Sequence, residues 1–93
     1  MKLSDMVAQH GYQPSDLGEI HEARLYERRN VDGALELLCV QKIGNVFRVD
    51  RQALAEFPGL GILPLGEGVA NKIIPRDQLE GYLDATLAPA IAA

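Results

Sequence analysis

His10, His21 and Cys39 are the residues of this chain best suited to ligate a metal or attack a substrate. A structural zinc site needs four ligands at short spacing, and neither a second cysteine nor an acid cluster supplies the rest. The two histidines therefore read as surface side chains. Cys39 lies within "LELLCV". A nucleophilic thiol needs a basic neighbour and some exposure, so its apolar flanks point to core packing. The acid pairs Asp16 with Glu19 and Glu19 with Glu22 could serve general acid–base chemistry only if their surroundings differed enough to split their pKa values. No acid here stands in a clearly apolar run, and solvated surface explains them. Ser4 and Ser15, the only serines, both read as helix starters. No catalytic constellation emerges. The expectation is a chain that is not an enzyme and uses no cofactor and no metal.

The stretch "PGLGILPLGEG", residues 58 to 68, raises a different possibility. Its glycines could cradle a phosphate, but that requires them between a strand and a helix N-terminus, where backbone amides converge. Here the run is expected to follow a helix and precede a strand. It lacks Gly-Lys-Ser/Thr, and Pro64 interrupts it. It reads as a long connector. Ile62, Leu63 and Leu65 must then either tuck into the core or present a contact surface.

At 93 residues the chain is expected to form one domain with a single core. Its 47% hydrophobic and 24% charged residues argue against disorder of the whole chain. With few aromatics and no Trp, the core is expected to be aliphatic, built from Leu, Ile, Val and Ala. The net charge is −4, and the nine Lys and Arg are dispersed among 13 acids, so the basic stripe typical of nucleic-acid binding is absent. A lone cysteine cannot form an internal disulfide. No long apolar run follows Lys2, and nothing approaches a membrane-spanning stretch, so a cytoplasmic protein is expected.

These residues must be positioned by short elements. Leu3, Met6 and Val7 mark one face of a helix over 2–10, stopped at Gly11. "QPSDLGEI" suggests further helix with Ser15 as N-cap, giving a helical N-terminal part over 1–21. "NVDG" and "GN" are turn signals separating strands at 22–29, 34–42 and 45–49, an antiparallel meander. In the first, Ala23 and Leu25 share a face opposite Arg24 and Tyr26. The middle strand reads as buried on both sides. Asp50 then caps a helix through Phe57, so the region 22–57 is meander plus short helix. The Gly/Pro loop covers 58–71, a strand and C-terminal helix cover 72–88, and 89–93 is a tail. Pro75 opens that helix, and Leu79, Tyr82, Leu83 and Leu87 form its stripe. "VDRQALAEF" and "IPRDQLEGY" echo each other as possible strand-to-helix repeats. The expected class is α+β: a three- to four-stranded, mainly antiparallel sheet with two or three short helices.

"VQKIGNVFRVDRQALAEF", Val40 to Phe57, resembles the wing and following helix of excisionase-like or MerR-like winged helices. That resemblance implies DNA contacts from Lys42, Asn45 and Arg48 on the wing, with Arg24, Arg28 and Arg29 on a second element. Where such a fold carries its recognition helix, this chain has "GEIHEARLYERRNVDG", which mixes acids with bases. The first expectation is instead a non-catalytic protein-binding module acting as a small regulatory, adaptor or inhibitor protein. Its contacts would be Ile62, Leu63 and Leu65, with an exposed Tyr12 and Tyr26 and the arginines Arg28 and Arg29. A homodimer is a further expectation, because so small a sheet has an edge open to pairing.

Overall fold

Five strands run as an uninterrupted antiparallel meander in the computed structural model, which describes residues 2–20, 23–29 and 33–87, with 16–20 as backbone only. Met1, His21, Glu22, residues 30–32 and residues 88–93 lie outside the described residues, as do the side chains of Asp16 and Glu19. The order is α1 (Leu3–Ala8), β1 (Gln13–Ile20), β2 (Ala23–Arg29), β3 (Leu35–Ile43), β4 (Val46–Phe57) and β5 (Gly61–Pro75). A single 3₁₀ turn (Arg76–Gln78) then leads into α2 (Leu79–Thr86). The sheet order is β1-β2-β3-β4-β5, so β1 and β5 are the two edges.

The core follows from strand alternation. Tyr26 on β2, Leu38 and Val40 on β3, Val49 on β4 and Ile74 on β5 face one side and are buried. Val7 from α1 and Leu79, Leu83 and Leu87 from the α2 segment close over them, with Leu3, Met6, Phe47 and Tyr82 packed around. Both helices therefore stand on the same face of the sheet. Each fully buried aliphatic side chain contributes about 1.5–3 kcal/mol relative to exposure.

The fold class needs correction: the sheet has five strands, not three or four, and strand dominates the described chain. Residues 13–20 are β1 rather than helix, and Ser15 is a buried strand residue rather than a cap. Pro14 and Gly18 disfavour a helix, and pairing with β2 satisfies this segment's backbone despite a register shift between Pro14 and Glu19. Residues 50–57 are likewise strand, and Asp50 caps nothing. Nine consecutive residues of β3 pair with Val46 to Leu54, so the ladder overrides a helix-favouring composition. The echo between Val49–Phe57 and Ile74–Tyr82 is consequently no structural repeat: the first is all strand, and the second turns into α2.

The Gly/Pro stretch 58–71 is largely β5, paired with β4 from Phe57↔Gly61 to Val46↔Pro75. The connector shrinks to Pro58-Gly59-Leu60, where the Leu60 N–H donates to the Phe57 carbonyl at 3.0 Å and Gly59 has φ 78. Proline followed by a left-handed glycine is the signature of a type II turn. Pro64 is tolerated because β5 is an edge strand.

The middle strand is not buried on both sides. Leu38 and Val40 face the helices, whereas Leu37 and Cys39 are half-buried on the opposite, open face. On β2 both Ala23 and Tyr26 are buried, although they point to opposite sides. The C-terminal stripe is as expected: Leu79, Leu83 and Leu87 are buried and Tyr82 is half-buried.

Candidate interaction surface

Element lengths decide what the helices can cover. α1 has 6 residues and α2 has 8. At about 1.5 Å per residue they run only about 9 and 12 Å. β4 has 12 residues and β5 has 15. At about 3.3 Å per residue β4 alone runs about 40 Å, and the molecule measures 44 × 31 × 23 Å. The far half of the β4–β5 ribbon therefore extends past the helical layer.

Register assigns the ribbon's side chains to its two faces. Pairs Ala53↔Leu65, Ala55↔Leu63 and Phe57↔Gly61 continue the helix side of the sheet. Pairs Leu54↔Pro64 and Glu56↔Ile62 lie on the open side. Leu63 and Leu65 are each 39% exposed, Ile62 69%, and Leu60 at the tip 72%. All three loop residues expected to tuck in or make contacts are thus exposed, though they sit on a strand and not in a loop. Between Ala53 and Leu65 the chain carries a single charge, Glu56, and the register turns it to the open side. The helix-side strip is uncharged.

At its root the strip meets a depression of about 290 Å³ lined by Arg28, Glu36, Ala53, Leu65, Glu67 and Thr86, among others. Thr86 belongs to the last turn of α2, and its carbonyl accepts from Arg51 Nη1 at 3.0 Å. Gly68 lies at the same place for steric reasons. A Cβ there would stand 2.4 Å from the Arg51 carbonyl oxygen and from Gln52 Oε1. The β4–β5 register shifts on either side of Arg51. Three residues beyond Gly68, Asn71 adopts φ 56, and its N–H donates to Asp50 Oδ1 at 2.8 Å.

Tyr12, Tyr26 and Arg28 are not surface contacts. Tyr12 is 3% exposed and Tyr26 2%. Arg28 donates to Glu36 Oε2 from Nε at 3.1 Å and from Nη2 at 2.9 Å, and to the His10 carbonyl from Nη1. Its guanidinium lies 4.6 Å from the Tyr12 ring centroid, and the Tyr12 hydroxyl donates to the same carboxylate oxygen at 3.3 Å. This cluster ties the end of α1 to β2 and β3. Burial pushes the Tyr12 phenol up to about 12; Arg28 pulls it back and Glu36 adds to the rise. Sequence reasoning missed the cluster because Tyr12, Arg28 and Glu36 become neighbours only through the sheet register.

His10 also departs from expectation. It is buried, and its Nε2 lies 2.9 Å from Asp84 Oδ1 on α2, which links the two helices. Its Nδ1 and the Tyr26 hydroxyl are buried without a partner among the described residues. Cys39 is not part of the core cluster. It lines a half-open cleft of about 380 Å³ on the open face, with Leu25, Leu37, Asp50, Gln52 and Val69. Burial raises its thiol pKa, the Asp50 carboxylate adds to that, and Arg48 opposes it. Among the described residues no three His, Cys, Asp or Glu side chains gather where they could hold a metal ion.

The six residues suggested by the winged-helix resemblance do not form one patch. Arg24, Arg28 and Lys42 take the helix side of the sheet, and Arg29 and Arg48 take the open side. Arg28 is held by Glu36, Arg48 Nε lies 3.6 Å from Asp50, and Arg29 donates to the Gly33 carbonyl at 3.0 Å. Asn45 sits in the β3–β4 turn, where its carbonyl accepts from the Arg76 N–H at 2.9 Å. The segments that would supply the recognition helix and the helix after the wing are β1, β2 and β4. Among the described residues no helix is long and apolar enough to cross a membrane. Compared with known proteins, the chain matches no family model, no curated protein and no solved structure.

Proposed function

We propose that this protein is a non-catalytic protein-binding module, a small regulatory, adaptor or inhibitor protein, whose contact surface is the projecting β4–β5 ribbon. The observation that carries this reading is the uncharged apolar strip of Ala53, Ala55, Phe57, Leu63 and Leu65, in which Leu63 and Leu65 are each 39% exposed, ending in the exposed Leu60. A two-stranded ribbon is marginally stable in water by itself. Apolar side chains left bare on one are best explained by a second surface that covers them. The dispersed acids around the strip set partner choice and encounter rate. Tyr12, Tyr26 and Arg28 hold the scaffold and do not touch the partner.

The test is affinity capture with tagged native chain and with the Leu63→Asp/Leu65→Asp variant, each with and without nuclease. A stoichiometric protein retained by native chain, resistant to nuclease and lost with the variant, is the expected result. Retention of nucleic acid that falls steeply with salt would overturn the reading.

A further inference from the structure

We propose that the segment following α2, residues 88–93, packs along the ribbon strip of its own chain and competes there with the partner. The proposal rests on the strip being a contact surface. Three observations select this occupant.

The first is where α2 leads. The helical segment starts beside the β3–β4 turn, where Pro75 pairs with Val46 and the Arg76 N–H donates to the Asn45 carbonyl at 2.9 Å. It ends where the Thr86 carbonyl accepts from Arg51 Nη1 at 3.0 Å, further along β4. α2 therefore runs along the helix side of the ribbon towards its tip. Thr86 shares the recess with Ala53 and Leu65, the first pair of the strip. Leu87 is already extended, with φ −88 and ψ 133. A chain continuing on that line meets Ala55, Leu63 and Phe57 next.

The second is length. From Ala53 to Phe57 the strip runs about 13 Å at about 3.3 Å per residue. The segment 88–93 spans up to about 20 Å when extended, enough to cover it. Ile91, the fourth residue after Leu87, comes within reach of Leu63.

The third is chemistry. The segment reads Ala-Pro-Ala-Ile-Ala-Ala and has no charged side chain. The strip has none either, because register turns Glu56 to the other side. Pro89 lacks an N–H and, with Ala88 before it, favours extended backbone. The small side chains of Ala53 and Ala55 leave room for that backbone between them and Ile91's target, Leu63. Arg28 and Glu36 in the recess hold each other at 2.9 Å, so Ala88 passes them without leaving a charge unpaired. A second chain or a separate protein arrives from solution, whereas this segment is joined to the root of the strip. A short tether gives an effective concentration on the order of millimolar, so even a weak apolar contact is populated.

Methyl NOE spectroscopy of the full chain tests this. Cross-peaks from the Ile91 methyls to those of Leu63 and Leu65 are expected. Ile91→Leu should keep a contact to the same two residues. Ile91→Asp should raise the fluorescence of bound 8-anilinonaphthalene-1-sulfonate at least about twofold, because the strip is then bare. Ile62→Asp, on the opposite face, should leave the Ile91 cross-peaks in place. No cross-peaks from Ile91 to the strip, or cross-peaks to Ile62 and Ile73 on the open face, overturn the proposal. Cross-peaks that appear between copies in a mixture of differently labelled chains also overturn it, and assign the strip to a second copy. Capture with native and Ile91→Asp chains separates this proposal from the reading it rests on. A protein retained through Leu63 and Leu65 without Ile91 cross-peaks overturns the competing segment and leaves the contact surface standing. Ile91 cross-peaks with no protein retained by either chain overturn the contact surface and leave the segment as the strip's own cover.

Discussion

The two halves of the β4–β5 ribbon share two strands and one alternation of side chains, yet they meet different surroundings. Near the β3–β4 turn, Val49 and Ile74 lie beneath α1 and α2 and are buried to 1% and 5%. Further along the same face, Leu63 and Leu65 are each 39% exposed. Nothing in the strand pattern separates the halves. The difference is the reach of the helices, which rise about 1.5 Å per residue against about 3.3 Å for a strand. An apolar face on a strand thus signals a core only where another layer is long enough to meet it.

The sharpest way to break this comparison is to truncate one aliphatic residue of the sheet beneath the helices and one on the outlying ribbon. Leu38→Ala, at 0% exposure beneath the helices, is expected to cost about 3–5 kcal/mol in urea unfolding. Ile62→Ala, on the bare ribbon, is expected to cost below about 1 kcal/mol. Equal losses would mean that the ribbon is covered within the monomer. Next in size is Arg28→Ala. It leaves Glu36 without its cation and removes the donor to the His10 carbonyl, for an expected loss of about 2–4 kcal/mol. Arg28→Lys should recover only part of that, since an ammonium cannot make both bonds to Glu36 and keep the His10 carbonyl.

Smaller effects test the joint between the halves. Gly68→Ala is expected to cost about 1–3 kcal/mol, because its Cβ would press on the Arg51 carbonyl and Gln52. A neutral result would show that β5 shifts freely there. The smallest effect concerns pH. The Tyr12 phenol ionises at about 12 in the fold, against 10.0 for the free group. The stability it contributes is present in full below about pH 10 and is lost as pH rises towards about 12. Tyr12→Phe should flatten that alkaline limb of the pH–stability curve. An unchanged limb would place the alkaline sensitivity elsewhere.

Much of the meander was legible. The "NVDG" and "GN" signals and the branched run of "ALELLCVQKI" located β2, β3 and the start of β4, because such local signals act within a few residues. The stripe of α2 was legible for the same reason. The misread segments were those where composition and context disagree. "DRQALAEF" has helix-favouring residues but alternates Arg51, Ala53, Ala55 and Phe57 against Asp50, Gln52, Leu54 and Glu56, a strand signal the helix reading passed over. "PGLGILPLGEG" looked like a loop because prolines and glycines are rare in central strands, but β5 is an edge. The Pro58-Gly59 pair was itself the missed hairpin signal.

Ile62, Leu63 and Leu65 were identifiable from sequence as a choice between core and contact surface, since apolar residues between turn-formers must go one way or the other. The sequence by itself also determined that a lone cysteine forms no internal disulfide and that the Lys and Arg residues are dispersed among acids, whereas the expected aliphatic core in fact includes Tyr12 and Tyr26. Those are properties of composition and short spacing. Tertiary structure alone decided that Tyr12, Tyr26 and Arg28 turn inward, that Cys39 lines an open cleft, and that the apolar ribbon outruns its helices. Each of these depends on which residues a strand register brings opposite one another, and on how far one layer extends over another. Both are set by pairings between residues far apart in the chain, which no local pattern encodes.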